Sequence, residues 1–122
     1  MKILVAYDGS APADQALYDG IDLAKNFKGS ITVLSVYWNT TDGVKDQILL
    51  RAEKRLMETF VKHQIIAEHN QSPASQILRT ARNGGFDLII IGGNGDGSKP
   101  WMMGSTSNKV VNESPCPVLV VK

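Results

Sequence analysis

The chain has 122 residues, 13 basic and 12 acidic, for a formal net charge of +1, with 43% hydrophobic and 20% charged residues. These proportions belong to an ordinary globular domain and exclude both a disordered polyelectrolyte and a chain built of membrane spans. The balanced charge offers no basic stripe for nucleic acid; the densest basic cluster, Arg51, Lys54 and Arg55, alternates with Glu53 and Glu58 as on a solvated helix face.

The length suits one domain over residues 1–122, large enough for a true core. The apolar start, Ile3 to Tyr7, is interrupted by Asp8 and is too short for a signal peptide, and no apolar run approaches a bilayer's width. Cys116 is the single cysteine, so no internal disulfide forms. The chain fits a reducing compartment, and a cytoplasmic location is expected.

Residues 2–7 read as a strand buried on both faces, because the run is continuously apolar rather than alternating. Ser10 then offers an N-cap and Pro12 suits the first helical turn. Ala13, Ala16, Leu17, Gly20, Ile21, Ala24 and Phe27 recur on one face of a helix that Gly29 is expected to close in a left-handed conformation. Ser30 to Tyr37 is rich in β-branched residues and predicts a second strand. After the polar turn Asn39–Gly43, a helix is expected from Val44 to His63, with Ile48, Leu49, Ala52, Leu56, Phe60 and Val61 as its apolar stripe. Gln64 to Glu68 reads as a short third strand. Ser72-Pro73 opens a helix through Ile77, Leu78 and Ala81 that ends at Gly84-Gly85.

Asp87 to Gly92 is a fourth apolar strand, Ser105 to Glu113 a last helix with Val110 and Val111 inward, and Val118 to Val121 a fifth strand. Strands alternating with helices long enough to be crossovers predict an α/β domain with a mostly parallel sheet.

Ligands of open parallel sheets bind outside the carboxyl ends of the strands, where the winding reverses. Two loops sit at such ends: Asp8-Gly9-Ser10, and the glycine-rich stretch from Gly92 to Gly97 that leads to Gly104-Ser105 at a helix start. Bare amides at a helix start attract an anion, and a facing aspartate would accept from sugar hydroxyls or a base amine. Asp8 reads equally well as a turn former or helix cap, and the glycines equally as a mobile loop. Neither the Walker spacing nor the dinucleotide fingerprint is present. An anion or nucleotide site is as far as the residues alone lead. Cys116 between two prolines reads as a structural thiol, and His63 and His69, without zinc-site spacing, read as surface residues. Of Trp38 and Trp101, the latter is the better placed for a ligand lid.

Ile3 to Ser10, the Gly92-Gly93-Asn94-Gly95 loop, Met103-Gly104-Ser105 and the ending Ser114 to Val121, in that order, resemble the universal stress protein family over the whole chain. The resemblance implies an adenine nucleotide alpha hydrolase-like fold, with a five-stranded parallel sheet in order 3-2-1-4-5 and helices on both faces. It implies a nucleotide-binding regulatory or stress-response protein that holds ATP with Mg²⁺; the residues near the loop offer no general base, Walker lysine or arginine clamp, so no catalytic residue and at most slow hydrolysis are expected. Asp8 would meet the ribose or the adenine edge, Ala6 would lie beside the base, and Val36 would offer its backbone to adenine. Ile91 and Gly92 would border ribose and phosphates. Gly95 and Gly104 would let amides approach the phosphates, and Ser105, Thr106 and Ser107 would supply amides and hydroxyls. The last strand, Val118, Leu119, Val120 and Val121, would pair with its copy in a homodimer.

The chain departs from the family's ATP-binding pattern. Eight residues, Asp96 to Met103, separate Gly95 from Gly104 where the pattern has nine, and Asp96, Pro100 and Trp101 stand where small and basic residues are usual. The connection after the second strand is short. A nucleotide-free dimer acting through protein partners is the alternative these departures favour.

Overall fold

The structure, a computed structural model, describes residues 1–93 and 103–122. Its elements in chain order are β1 (Lys2–Ala6), α1 (Ala11–Phe27), β2 (Ser30–Tyr37), α2 (Asp42–Met57), β3 (Lys62–His69), α3 (Pro73–Gly84), β4 (Leu88–Gly92), α4 (Ser105–Glu113) and β5 (Val118–Val121). All strand pairings are parallel and the order is β3-β2-β1-β4-β5. The chain therefore winds outward from β1 in one direction to β3 and in the other to β5. The switch point lies between β1 and β4, where Leu4 pairs with Ile89.

Continuous apolar runs in β1, β2 and β4 follow from burial on both faces of this sheet. Ile3, Val5 and Ile90 face a core closed by Ala16, Leu17 and Ile21 of α1 and Ala52 and Leu56 of α2. Leu4, Ile89 and Ile91 face the opposite core, closed by Ala74, Ile77 and Ala81 of α3 and Val110 of α4. Gly20 lets α1 come close to the sheet, since a Cβ there would lie 3.1 Å from Val5 Cγ2.

The expected caps at Ser10 and Ser72 hold: Ser10 accepts from the Ala13 amide and Ser72 from the Ser75 amide. α2 starts at Asp42, two residues before the expected Val44, because Thr41 accepts from the Val44 amide.

Several expected details are corrected. The second helix does not run to His63: it ends at Met57, where Thr59 donates from both its amide and its hydroxyl to the Leu56 carbonyl. The chain then turns, so Val61 is buried from outside the helix while Phe60 is fully exposed. The third strand is correspondingly longer than expected, pairing with β2 from Lys62 through His69. Phe27 and Val111 face solvent rather than the core. The first and fourth strands each stop one residue short of the expected bounds, at Ala6 and Leu88. Lys28, not Gly29, takes the left-handed conformation that ends α1 (φ 51°). Gly29 answers a different need: a Cβ there would sit 2.7 Å from the Met1 carbonyl oxygen.

Candidate functional site

At the carboxyl edge of the sheet, over the switch point, lies a cavity of about 300 Å³, at the lower end of the range for small-molecule sites. Its main walls come from five places. Ala6 ends β1 and Asp8 follows it, and Leu34 and Val36 lie in the last part of β2. Ile91, Gly92 and Gly93 end β4, and Gly104 to Ser107 begin α4. Pro73 and Ile77 of α3 close the apolar side. Of the residues expected at a site, Ala6, Asp8, Val36, Ile91, Gly92, Gly104, Ser105, Thr106 and Ser107 thus line one cavity. Gly95, with Asp96, Lys99, Pro100 and Trp101, lies outside the described residues. Trp38 is not part of the lining; it stands half-exposed against His69, ring centroids 4.8 Å apart.

The β1 wall is a closed hydrogen-bonded unit. Asp8 Oδ1 accepts from the Ser10 amide at 2.9 Å, so its role as a turn former is realised at the same position that faces the cavity. Gly9 between them has φ 82°, in the region where a side chain is strained. Its carbonyl accepts from Arg51 Nη2 at 2.7 Å.

Behind the turn lies a cluster absent from the sequence-based expectations. Tyr7 Oη donates to Asp14 Oδ1 at 2.5 Å, and Arg55 donates to the same carboxylate and lies 3.3 Å from Tyr7 Oη. Burial raises the Asp14 pKa, but the hydrogen bonds from Tyr7 and Arg55 and the charges of Arg55 and Arg51 outweigh it, leaving the carboxyl below its ordinary value. Burial, then the hydrogen bond and charge of Asp14, raise the Tyr7 phenol, against the opposing pull of Arg51 and Arg55. The buried Ser35 hydroxyl donates to the Tyr7 carbonyl at 2.5 Å and fixes the end of β1 from the β2 side.

The α4 wall is different. Among the described helices α4 alone begins at a glycine and has no N-cap side-chain hydrogen bond, so its first-turn amides have no side-chain acceptor among the described residues. The Gly104 amide donates to the Gly93 carbonyl at 2.6 Å. The Ser107 hydroxyl, expected to face a ligand, is buried and directed at the carbonyls of Gly93 and Gly104, both at 3.1 Å. Its role in the described structure is to hold the end of β4 to the start of α4. Ser105 and Thr106 remain more open.

The glycines of this wall separate into two kinds. At Gly92 a Cβ would meet Pro12 Cβ at 2.8 Å, so the fold itself requires glycine where α1 crosses the end of β4. At Gly104 a Cβ would meet, among the described residues, nothing closer than the Gly93 carbonyl oxygen at 3.8 Å, and the backbone conformation there (φ −68°, ψ 166°) suits any residue. No described residue fills the space beside Gly104 towards the cavity.

Ser10 and Gly93 line the cavity from the two loops the sequence pointed to, and Tyr7, Pro12, Ala13, Leu34, Pro73 and Ile77 join the lining although the sequence did not single them out for it. Only their places at strand ends and helix starts carried a signal. No group of three or more His, Cys, Asp or Glu side chains suited to a metal ion occurs among the described residues, and no helix there is long and apolar enough to cross a membrane.

Comparison with known proteins agrees with this architecture. A sequence model described as the universal stress protein family matches residues 1–122. Universal stress protein YxiE of Bacillus subtilis is 32% identical, the match covering 99% of this chain and 98% of the relative. The universal stress protein of Archaeoglobus fulgidus solved in complex with dAMP superposes with a TM-score of 0.81 at 20% identity, covering 100% and 98% of the two chains. A family member from Arabidopsis thaliana solved with AMP bound superposes with a TM-score of 0.78 at 16% identity, covering 100% and 91%. The chain belongs to the universal stress protein family.

Proposed function

We propose that the chain binds an adenine nucleotide in the cavity over β1 and β4 and acts as a regulatory protein of the stress-response type. The observation that carries this reading is the start of α4. Among the described residues a helix opens into the cavity with no side-chain cap on its amides, at a glycine whose backbone conformation suits any residue. Such an end provides hydrogen-bond donors and a favourable dipole for a phosphate. Ala6, Val36 and Ile77 offer an apolar lodging for a base, and Asp8 an acceptor for sugar hydroxyls or a base amine. The family members solved with dAMP and AMP support the same ligand class.

ATP with Mg²⁺ is the finer reading. A nucleoside and its first phosphate suit the described cavity, with Ser105 and Thr106 as the nearest amides, and Gly95 is assigned to the remaining phosphates. We assign no catalytic residue. Slow hydrolysis is the most we propose. The reading extends to a cytoplasmic homodimer joined through Val118 to Val121. β5 is the last strand of the sheet and Leu119 is partly exposed on it, an edge that pairing with a second copy would cover.

Thermal denaturation with AMP, dAMP and Mg-ATP tests the site. A ligand present at a hundred times its Kd stabilises the fold by about 2.7 kcal/mol, and Asp8→Ala is expected to reduce that shift. No shift with any of the three at millimolar concentration would leave the alternative, a nucleotide-free dimer acting through protein partners. Sedimentation of Val120→Asp against the unaltered chain tests the dimer separately.

A further inference from the structure

We infer that Arg51 is a positioning residue for the nucleotide site, holding the Asp8–Ser10 turn from behind through the Gly9 carbonyl. The inference rests on the nucleotide-binding reading and adds to it a part for α2, an element that contributes nothing to the cavity lining.

The turn has two sides. On the cavity side stands Asp8, one of whose carboxylate oxygens is taken up by the Ser10 amide. On the far side, the left-handed Gly9 presents its carbonyl to α2, where the Arg51 guanidinium donates to it at 2.7 Å. The packing there is tight. A Cβ on Gly9 would stand 2.8 Å from Arg51 Nη2 and 3.2 Å from Ile48 Cγ1, so the turn is seated directly on this face of α2. Rotation of the Gly9 peptide would carry Asp8 with it, because the two are adjacent in a turn closed by the bond from Ser10. A charged donor on the carbonyl opposes that rotation.

α2 is itself held to the site wall largely by polar contacts. Only Ala52 and Leu56 of the helix are fully buried, whereas Arg51 reaches Gly9 and Arg55 reaches Asp14 in the first turn of α1. The two arginines lie one helical turn apart and hold Gly9, next to Asp8, and Asp14, so that Ser10 lies between the two held points. Arg55 does so within a partly buried cluster that also serves stability. Arg51 is exposed and contributes little to the core, but its charge also reaches Asp14, so the positioning role is read from AMP affinity and from the Ser10 amide rather than from stability alone.

The experiment compares the unaltered chain with Arg51→Ala, Arg51→Lys, Asp8→Ala and the double variant. It uses calorimetric titration with AMP and, on the ligand-free proteins, hydrogen exchange of the Ser10 amide. Arg51→Ala is expected to weaken AMP binding about tenfold, the worth of one hydrogen bond to a charged group, with a melting temperature close to that of the unaltered chain. Arg51→Lys is expected to restore part of the loss. Because Arg51 acts through Asp8, the double variant should bind no more weakly than Asp8→Ala alone. In the ligand-free Arg51→Ala protein the Ser10 amide should exchange faster.

Unchanged AMP affinity in Arg51→Ala, or full additivity of the two losses, overturns the inference. If the unaltered chain binds no AMP, the nucleotide-binding reading falls by itself. The exchange measurement then decides on the brace, and a Ser10 amide equally protected with and without Arg51 refutes it.

Discussion

The two walls of the cavity are built on opposite principles. On the β1 side the polar groups of the turn are engaged within the chain: Asp8 holds Ser10, Ser10 caps α1, Arg51 holds Gly9, and Tyr7 and Arg55 share Asp14. On the α4 side the helix starts at a bare glycine, and among the described residues its first amides have no side-chain acceptor. The first wall is held by its own hydrogen bonds, whereas the second leaves donors over within the described residues. Buried or half-buried polar groups left without partners carry a cost. An uncapped helix start is therefore retained only where solvent or a ligand can supply the missing acceptor. The contrast separates substitutions that should break the fold from those that should leave it intact and empty the site.

The largest effect is expected where the two walls meet. Gly92 ends β4 directly under the start of α1, with room for no Cβ: Pro12 Cβ would lie 2.8 Å away and the Ala13 amide nitrogen 3.3 Å. Gly92→Val forces α1 away from the sheet, and overpacking of this kind costs about 3 kcal/mol. Chemical denaturation should show a lowered midpoint, with nucleotide binding lost as a consequence. A variant as stable as the unaltered chain would show that α1 and β4 are not in this close contact.

A smaller loss, with a signature in pH, is expected from the finished wall. Asp14→Asn keeps an oxygen for Tyr7 but removes the charge facing Arg55, whose own side chain is about a quarter exposed (24%). A hydrogen bond between charged groups at such a site contributes about 1.5 kcal/mol. The Asp14 pKa is lowered by folding, so between its folded and unfolded values the unfolded chain binds more protons and stability rises with pH. The contribution is complete above the ordinary carboxylate value, about pH 4, and drains away as pH falls through the folded one. Denaturation curves at neutral and acid pH should therefore show the two proteins far apart at pH 7 and converging in acid. A gap that stays constant with pH would mean that the Asp14 charge is not what Arg55 recognises.

What could be foreseen from sequence divides along the same line between local and distant contacts. The caps at Ser10 and Ser72, the apolar runs of β1, β2 and β4, and Gly104-Ser105 at the start of α4 were legible because each is a matter of a few neighbouring residues. The strand order, and with it the meeting of Asp8 and Gly104 at one cavity, came from the likeness to the universal stress protein family rather than from periodicity. The Tyr7–Asp14–Arg55 cluster was not legible, since Arg55 stands 41 residues from Asp14 and 48 from Tyr7, and a mixed-charge helix face looks the same whether or not one arginine turns inward. Gly29 was noticed but misread. A glycine after a helix ordinarily supplies a left-handed residue, whereas here Lys28 takes that conformation and Gly29 makes room for the Met1 carbonyl. Phe60 was assigned to a helical stripe because its spacing continues that of Leu56; the Thr59 hydroxyl that ends the helix first is a capping contact that periodicity does not weigh.

The smallest expected change in stability is the most informative about the open wall. Gly104 occupies the N-cap position of α4 in an extended conformation with no described residue closer to a Cβ there than 3.8 Å, which is what a capping asparagine requires. Gly104→Asn would give α4 the side-chain acceptor that the other three helices already have. The gain over glycine at such a position is a few tenths of a kcal/mol, so the melting temperature should hold or rise slightly. The same side chain would occupy the space left for a phosphate and satisfy the amides that a phosphate would use, so AMP should no longer raise that temperature. Were the uncapped start an accident of sequence, the substitution would stabilise the protein and leave its response to AMP untouched. If instead it is kept open for a ligand, the variant becomes slightly more stable and loses the site, the exchange of stability for function expected where a cap has been withheld.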